Sequence, residues 1–333
     1  MENPEKMSIA QFTDLANRAL DKYNLSIQDV TYLQHSENVT FKITTLGKSY
    51  LLRLHLPLTK GMGAHGTNPK VIRSELLWVD SLHRNKLPVP KSVRNRLGEF
   101  VTRVKAVKGK PPVNCTVLEW LEGEVYTREM ESVDSVAQIG NLVGRTHLHA
   151  SKWRFPSEFK RPRRDATYFM DVLASLQPAV DDGRINYHDF KTLQLSIQEL
   201  AGMLQPGRKT KSLIGLLHGD LHRGNFLNYN SEIRLIDFSL CALGYFAYDI
   251  GTCLSNINPA LHDIFLANYT QFLPLPANYE RLIEGFFIAS HVVTFSFWLD
   301  NPDAQETLAQ RVPYIAQEFA ARFNRDERFW FKN

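Results

Sequence analysis

The sequence has 333 residues, which is enough for one large domain or for two lobes that share a cleft. Hydrophobic residues make up 44% of the chain and charged residues 22%, as in an ordinary soluble globular protein. The formal net charge of +4 is mild for this length. It argues against a nucleic-acid-binding protein, which usually concentrates more positive charge.

The cysteines and the apolar stretches indicate the cellular compartment of the protein. Cys115, Cys241 and Cys253 lie far apart and lack the C-x-x-C spacing, so a disulfide framework is not expected and a reducing compartment fits. The first seven residues lack the apolar core of a secretory signal. The most apolar stretch, Phe286 to Trp298, is too short and too polar to span a bilayer. We therefore expect a soluble cytoplasmic protein with no membrane partner.

The N-terminal part of the chain has the pattern of a small β-rich region. Apolar residues recur at helical spacing over residues 8–22, where Ser8 and Gln11 resemble a capping box. Over residues 39–43 apolar residues alternate with threonine and lysine, which is the period of a half-buried strand. The other elements predicted here are strands over 49–55, 100–107 and 115–120 and a helix over 71–83 that ends before Pro88 and Pro90.

The pattern changes near Glu122 and Gly123, beyond which most segments are helical. The exception is a β-rich insert over residues 213–238, which carries polar groups at tight spacing and marks the expected cleft. The predicted helices cover 133–150, 166–180, 187–204 and the chain from about 245 onward. We therefore expect an α+β fold with a small β-rich N-terminal lobe (1–118), a hinge (119–123) and a larger, mainly helical C-terminal lobe (124–333).

The insert contains two short apolar runs, each followed by polar residues suited to catalysis. The first run ends in the sequence H-G-D-L-H-R-G-N, which includes Asp220 and Asn225, and the second run ends at Asp237. Two carboxylates and one carboxamide would then lie at the ends of neighbouring strands. Oxygen donors that converge in this way suit a hard cation such as Mg²⁺. Asp220 would be left to orient or deprotonate a hydroxyl nucleophile.

This insert resembles the catalytic loop and metal-binding strand of the aminoglycoside phosphotransferase and choline kinase family, which has the two-lobed protein-kinase-like fold. Protein kinases have H-R-D-x-x-x-x-N at this place, and Asp220 and Asn225 have the same spacing. The resemblance implies that Asp220 is the catalytic base, Asn225 a Mg²⁺ ligand and Asp237 the principal Mg²⁺ ligand. It also implies that His218 braces the loop and that Asp249, in the segment Y-D-I-G, supports it.

The same family accounts for segments of the N-terminal lobe. Residues 36–43 resemble the strand–turn–strand that covers the nucleotide phosphates. Residues 50–54 resemble the strand that carries the phosphate-binding cation, which here is Arg53. Glu75, on the following helix, matches the glutamate that pairs with this cation. The resemblance therefore implies that Arg53, held by Glu75, binds phosphates of ATP.

The segment V-L-E-W-L-E-G-E, residues 117–124, resembles the family's hinge between lobes. The resemblance implies that the Glu119 carbonyl and the Leu121 N–H bind the adenine edge. In all it runs from about residue 30 to residue 255. One departure lies after Asp237, where the chain has Ser239 and many relatives place a second acidic residue nearby. Because serine is a poorer Mg²⁺ ligand than a carboxylate, a second metal site is in question.

Three other patterns offer competing interpretations. Residues 61–66 match the dinucleotide-binding pattern G-x-G-x-x-G and are followed by Asp80 at a suitable distance, but prolines replace the parallel strand that this site needs. His218 and His222 have a zinc-like spacing, but the glutamate of the zincin pattern is missing. Residues 152–164 are basic and aromatic, which could serve an anionic ligand but is more typical of an exposed loop.

The sequence thus predicts an ATP- and Mg²⁺-dependent phosphotransferase that acts on a hydroxyl of a small molecule. The acceptor stays open among amino alcohols, sugars and antibiotics, because no motif marks the acceptor-binding helices. A nucleotide-binding pseudokinase that serves as a regulator or scaffold is the alternative. A protein kinase is disfavoured because the segment after Phe238 reaches the helix with Asp249 within about ten residues, which leaves no room for an activation loop.

Overall fold

The computed structural model describes residues 7–35, 38–57, 66–105, 111–204 and 213–331. Two compact units make up the chain. The first comprises residues 1–122 together with residues 155–160, and the second comprises residues 123–154 and 161–333.

An antiparallel sheet forms the body of the first unit. Its strands are β1 (Ile27–His35), β2 (Val39–Thr45), β3 (Ser49–Leu54), β4 (Ser92–Val93), β5 (Thr102–Val104) and β6 (Val113–Glu119). They follow the order β1-β2-β3-β6-β4, and β5 also pairs with β6. The register joins Arg53 of β3 to Thr116 of β6.

Two helices accompany this sheet. Helix α1 (Ile9–Leu20) begins after Ser8, which exchanges hydrogen bonds with Gln11, so the predicted capping box is confirmed. The apolar face of α1 packs with β2, β3 and β6 in one buried core. Helix α2 (Pro69–Arg84) begins with a proline at its first turn and covers the predicted range 71–83.

The strand that follows α2 excludes the dinucleotide-binding interpretation. β3, before the helix, and β4, after it, do not pair with each other, because β6 lies between them and is antiparallel to both. A dinucleotide-binding βαβ unit instead belongs to a sheet of neighbouring parallel strands. Most of the G-x-G-x-x-G segment, residues 61–65, lies outside the described residues. Asp80 lies on α2 and forms an ion pair with Arg84, with oxygen and nitrogen 3.1 Å apart.

Helices dominate the second unit, with two small sheets beside them. The helices are α3 (Val133–Lys152), α4 (Ala166–Ala174), α5 (Gln177–Asp181), α6 (Tyr187–Met203), α7 (Phe246–Leu254), α8 (His262–Tyr269), α9 (Tyr279–Trp298), α10 (Gln305–Ile315) and α11 (Ala321–Asn324). The strands are β7 (Glu124–Val125), β8 (Arg163–Arg164), β9 (Ile214–Leu217), β10 (Phe226–Tyr229), β11 (Glu232–Leu235) and β12 (Ala242–Tyr245). One sheet has the order β11-β10-β7 and the other the order β8-β12-β9, in which β8 is parallel to β12.

Two predicted elements differ from the structure. The helix predicted over 166–180 is interrupted between α4 and α5, because Pro178 lacks an N–H and its ring would clash with the carbonyl of Ala174 in a continuous helix. Of the strand predicted over 100–107, β5 covers Thr102–Val104, and residues 106–107 lie outside the described residues. The apolar stretch 286–298 lies in α9, whose described residues are largely buried. Among the described helices, none is long and apolar enough to cross a membrane.

Candidate active site

The loop 218–225 is held at the end of β9 by a sharp backbone turn. β9 is an apolar strand that becomes fully buried toward its end, and His218 follows it directly. Gly219 has a φ of +85°, which glycine adopts without the steric cost that a side chain incurs. A Cβ at this residue would also collide with the carbonyl oxygen of Leu240. The position therefore requires glycine, and the loop approaches the segment after Asp237 closely.

The carboxylate of Asp249 supports this loop from the first turn of α7. Its two oxygens accept the backbone N–H groups of His218 and Gly219, at 2.7 Å and 2.8 Å. A third contact joins Oδ2 to Nε2 of His147 at 3.1 Å. Burial alone would raise the pKa of Asp249, but the His147 contact, the nearby His218 ring and the backbone donors lower it below its usual value. Asp249 is therefore a buried anion that fixes the start of the loop.

The ring of His218 links the two strands that carry the candidate residues. Nε2 lies 2.9 Å from the carbonyl oxygen of Ile236, to which it donates, and Nδ1 accepts the N–H of Asp220 at 3.3 Å. Since both ring nitrogens have backbone partners, His218 has no nitrogen left for zinc. The described residues contain no group of three or more histidine, cysteine, aspartate or glutamate side chains that could hold a metal ion. The zinc interpretation therefore has no support.

Asp220 and Asn225 contact each other directly. The Asn225 amide nitrogen donates to Asp220 twice, to the backbone carbonyl at 2.8 Å and to Oδ2 at 2.9 Å. Both partners are acceptors, which orients the amide and leaves Asn225 Oδ1 as the atom for a cation. His222 Nε2 lies 3.3 Å from the same Oδ2, and about a third of the Asp220 side chain (33%) is exposed. The structure thus brings these two predicted residues together.

The protonation state of Asp220 follows from its neighbours. Burial alone would raise its pKa, but the hydrogen bond from His222 and the electrostatic influence of His222, His218 and Arg164 lower the pKa below its usual value. The His222 ring is oriented in turn by its Nδ1, which accepts the N–H of Gly224 at 3.0 Å. Asp220 is therefore a carboxylate at neutral pH.

Asp237 follows β11 and is exposed. Its φ of +58° is unusual for a residue with a side chain, and its Oδ1 accepts the N–H of Ser239 at 3.2 Å. Its neighbour Ile236 donates its N–H to the carbonyl of Asn225 at 2.9 Å, which connects this strand end to the loop 218–225. A carboxylate and an amide oxygen are both hard-oxygen donors, which is the ligand type that Mg²⁺ prefers.

The basic segment 152–164 contains two residues that the sequence analysis did not assign. Arg161 and Arg164 are buried, whereas the sequence favoured an exposed loop. Arg161 donates to the carbonyls of Ser239 and Cys241, and Arg164 donates to the carbonyl of Gly219, each at 2.6 Å. The run of arginines was the visible signal, but their partners lie 55 to 80 residues away along the chain. The buried part of this segment therefore contacts the candidate active site.

A second contact that the sequence did not reveal involves Arg223 within the loop. It forms an ion pair with Glu131, with nitrogen and oxygen 3.0 Å apart. The other carboxylate oxygen of Glu131 accepts the N–H of Asn258 at 3.0 Å. Glu131 is mostly buried, so this pair holds the far side of the loop against the segment before α3.

In the first unit, Arg53 of β3 and Glu75 of α2 form the predicted pair. Nη2 lies 2.7 Å from Oε1, and the two side chains are 5% and 4% exposed. Nε of Arg53 also donates to the Thr116 hydroxyl at 3.3 Å, and His55 contacts the same hydroxyl at 3.1 Å. The guanidinium is thus a buried cation that is fixed from two directions.

Glu119 and Leu121 lie at the end of the first unit. Glu119 is the last residue of β6, and its side chain forms ion pairs with Lys48 at 3.3 Å and Lys91 at 3.1 Å. Burial alone would raise the pKa of Glu119, but the two lysines lower it. The Glu119 N–H donates to the carbonyl of Lys91. Leu121 follows in an irregular segment and is half-buried. The contacts of the Glu119 carbonyl and the Leu121 N–H with adenine stay a prediction.

The family model described as the phosphotransferase enzyme family (APH) matches residues 29–283, which include the loop 218–225 and Asp237. The chain belongs to this phosphotransferase enzyme family. This phosphotransferase is 27% identical over 244 residues to homoserine kinase from Pseudomonas aeruginosa, and the match covers 69% of each chain. The prediction of a phosphotransferase enzyme is thus confirmed.

Two solved structures resemble the phosphotransferase along nearly its whole length. Amicoumacin kinase hAmiN in complex with AMP-PNP, Ca²⁺ and Ami has a TM-score of 0.74 and 22% identity, with 96% of this chain and 95% of that chain covered. A microcompartment-associated aminopropanol kinase has a TM-score of 0.72 and 22% identity, with coverage of 96% and 100%. At these identities the likeness establishes the fold, and the predicted protein-kinase-like α+β class is confirmed.

Proposed function

We propose that this phosphotransferase moves the γ-phosphoryl group of ATP to a hydroxyl of a small molecule, with Asp220 as catalytic base and Mg²⁺ held by Asn225 and Asp237. The observation that carries the proposal is the contact between Asp220 and Asn225, in a loop with the spacing of kinase catalytic loops. Membership in a phosphotransferase family supports the same chemistry.

Asp220 would accept the proton of the attacking hydroxyl. Asn225 and His222 both contact Oδ2, so Oδ1 is the oxygen best disposed toward an acceptor. Because the His222 hydrogen bond and the nearby guanidinium of Arg164 lower its pKa, Asp220 is ionised at neutral pH and can accept a hydrogen bond before the proton moves. A carboxylate with a low pKa is a weak base. It therefore acts mainly by orienting the hydroxyl and takes the proton late in the transfer.

Asn225 and Asp237 would hold the cation, through Oδ1 of the amide and the carboxylate. Bound Mg²⁺ would neutralise negative charge on the phosphate oxygens of ATP. Asn225 also holds Asp220, so one amide would place the base and a metal-binding oxygen together. Arg53, fixed by Glu75, would steady the α- and β-phosphates.

The substrates in the names of related proteins suggest a class of acceptor for this phosphotransferase. Homoserine and aminopropanol, after which two of them are named, both carry a hydroxyl and an amine. Amicoumacin and methylthioribose kinases are also among the relatives. We therefore propose an amino alcohol, with sugars and antibiotics as the next classes.

The alternative of a pseudokinase scaffold is disfavoured, because the chain retains Asp220, Asn225 and Asp237 and belongs to an enzyme family. A coupled assay of ADP release across amino alcohols, sugars and antibiotics tests the proposal. We expect one acceptor class to stimulate ADP release above the rate with water, and Asp237→Ala to abolish that release. Asp263→Ala, at an exposed site on α8, is the matched control. Thermal stabilisation by MgATP without transfer to any acceptor would support the scaffold instead.

A further inference from the structure

We propose that Arg161 and Arg164 are positioning residues that form an arginine clamp: Arg164 sets the catalytic loop and Arg161 sets the segment that follows Asp237. The proposal rests on the proposed function, because it assigns the two arginines to the same reaction. It predicts that the two side chains control different parameters, the transfer rate for Arg164 and the affinity for the cation for Arg161.

Arg164 fixes the peptide that precedes the catalytic base. Its side chain is buried, and Nη1 donates to the carbonyl of Gly219 at 2.6 Å. The guanidinium lies 4.7 Å from the ring centre of Tyr248 and 5.7 Å from that of Tyr168. The N–H of Gly219 is held by Asp249 at 2.8 Å. The residue before Asp220 therefore has its N–H bound by an anion and its carbonyl bound by a cation.

Arg161 fixes the turn after Asp237 in a comparable way. Its Nε donates to the carbonyl of Cys241 and its Nη2 to the carbonyl of Ser239, both at 2.6 Å. The N–H of Ser239 in turn donates to Oδ1 of Asp237. One residue, Ser239, thus links the guanidinium of Arg161 to the carboxylate that would hold the cation. A change at Arg161 should therefore alter the direction of the Asp237 carboxylate.

The sheet β8-β12-β9 fixes the position of Arg164 relative to the strand that leads into the catalytic loop. β8 contains Arg164 and pairs parallel with β12, which pairs antiparallel with β9, the strand that leads into the catalytic loop. Gly244 of β12 approaches so closely that a Cβ there would lie 2.7 Å from the side chain of Leu217 and 3.0 Å from the carbonyl of Arg164. The N–H of Leu243 also donates to the carbonyl of Pro162, between the two arginines.

The free-energy cost of burying two guanidinium groups indicates that the two arginines do more than fill space. These contacts bury two guanidinium groups against backbone carbonyls, and an apolar side chain of similar volume would avoid the cost of removing a charge from water. A guanidinium offers several donors in a fixed plane, so it can bind two carbonyls at once or bind one while it stacks on aromatic rings. Lysine keeps the charge and lacks this geometry. The substitution of each arginine by lysine therefore isolates the effect of geometry.

The test compares Arg161→Lys and Arg164→Lys with Arg163→Lys. Arg163 lies on the same strand, but its side chain is 66% exposed and pairs with Asp165. The measurements are kcat, KM for ATP, and the affinity for Mn²⁺ in the presence of AMP-PNP, followed by electron paramagnetic resonance. The last measurement does not depend on turnover. Far-ultraviolet circular dichroism and thermal melting establish that each variant folds.

We expect Arg164→Lys to lower kcat by about ten- to a hundredfold with little change in Mn²⁺ affinity, because a shift of the base misaligns the reacting atoms. We expect Arg161→Lys to weaken Mn²⁺ binding by about ten- to a hundredfold, as for residues that orient a metal ligand. Arg163→Lys should match the wild type. If a lysine variant fails to fold, Arg161→Gln and Arg164→Gln, which keep a donor, are compared in the same way.

Equal effects of Arg161→Lys and Arg164→Lys on kcat and on Mn²⁺ affinity would overturn the clamp, as would two variants that behave like Arg163→Lys. Failure of the proposed function has a different signature. A wild-type protein that binds Mn²⁺ and AMP-PNP but consumes no ATP with any acceptor would contradict phosphoryl transfer. The Mn²⁺ measurement on Arg161→Lys would still decide whether that arginine orients the cation site.

Discussion

Asp249 and His147 form a buried hydrogen bond inside the second unit, with Oδ2 and Nε2 3.1 Å apart. The Tyr269 hydroxyl lies 3.0 Å from the other ring nitrogen of His147. The carboxylate also accepts the N–H groups of His218 and Gly219. The start of the catalytic loop therefore depends on a buried polar network whose members come from α3, α7 and α8.

The first prediction concerns Asp249→Asn. The two backbone N–H groups bind different oxygens of the carboxylate, so an amide in the same place can accept only one of them, and its NH₂ would face the other donor. We expect a loss of about 2–3 kcal/mol in the free energy of unfolding, because a buried donor is left without an acceptor and charge-assisted hydrogen bonds are lost. Urea denaturation measures this loss, and Asp263→Asn is the exposed control. A loss below about 1 kcal/mol, the typical worth of one hydrogen bond, would contradict the supporting role of Asp249.

A second prediction concerns the ion pair between Arg53 and Glu75. Glu75→Gln removes a buried negative charge beside the guanidinium and should destabilise the protein by about 3–5 kcal/mol. The double substitution Arg53→Met with Glu75→Leu removes both charges and should recover much of that stability while nucleotide affinity stays low. Thermal melting and calorimetric titration with MgATP measure the two quantities, and Glu99→Gln is an exposed control. Recovery of full nucleotide affinity in the double variant would argue against phosphate binding by Arg53.

The third prediction is a pH dependence of stability that arises from His291 in α9. Burial lowers the pKa of His291 to about 4, with a smaller contribution from the charge of Arg311, whereas the ordinary value is 6.5. Between these two values the unfolded chain binds a proton that the folded protein excludes, so stability falls as the pH falls from 6.5 toward 4. The loss is at most about 3 kcal/mol.

His291→Phe keeps an aromatic ring and removes the titrating group. The variant should lose less free energy of unfolding than the wild type between pH 7 and pH 4.5, when both are measured by urea denaturation. Equal losses in the two proteins would show that His291 does not contribute to the acid sensitivity.

The fourth prediction concerns the three cysteines, which are buried thiols with no disulfide among them. Burial raises the pKa of the Cys115 thiol to about 12 and raises that of Cys253 as well. Because the thiolate is the reactive form, both thiols should be inert in the folded protein at pH 8. A colorimetric thiol reagent should label three groups per chain in urea and none without it. Rapid labelling of the native protein would contradict the buried positions.

The local parts of the fold were predictable from the sequence. The capping box at Ser8 and Gln11 depends on residues three apart, and α6 follows the apolar pattern of residues 187–204 closely. The apolar pattern does not show the break between α4 and α5, which Pro178 marks. Local patterns thus locate elements well, and a proline inside such a pattern indicates a break.

The candidate site was predictable where a motif has fixed spacing. Asp220 and Asn225 are five residues apart, and their direct contact follows from that spacing. The residues that hold the loop were harder to predict from the sequence, because Arg164 and Gly219 are 55 residues apart and His147 and Asp249 are 102 residues apart. Such contacts depend on how strands and helices pack, which single-sequence patterns do not encode.

The turnover of Asp220→Ala with MgATP and the acceptor found in the screen tests the central claim most directly. The account predicts a fall in kcat of about a hundred- to ten-thousandfold, the usual effect of losing a general base, with nucleotide affinity close to that of the wild type. Asp263→Ala should keep full turnover. A variant Asp220→Ala that retains near-wild-type kcat would contradict the assignment of Asp220 as the catalytic base.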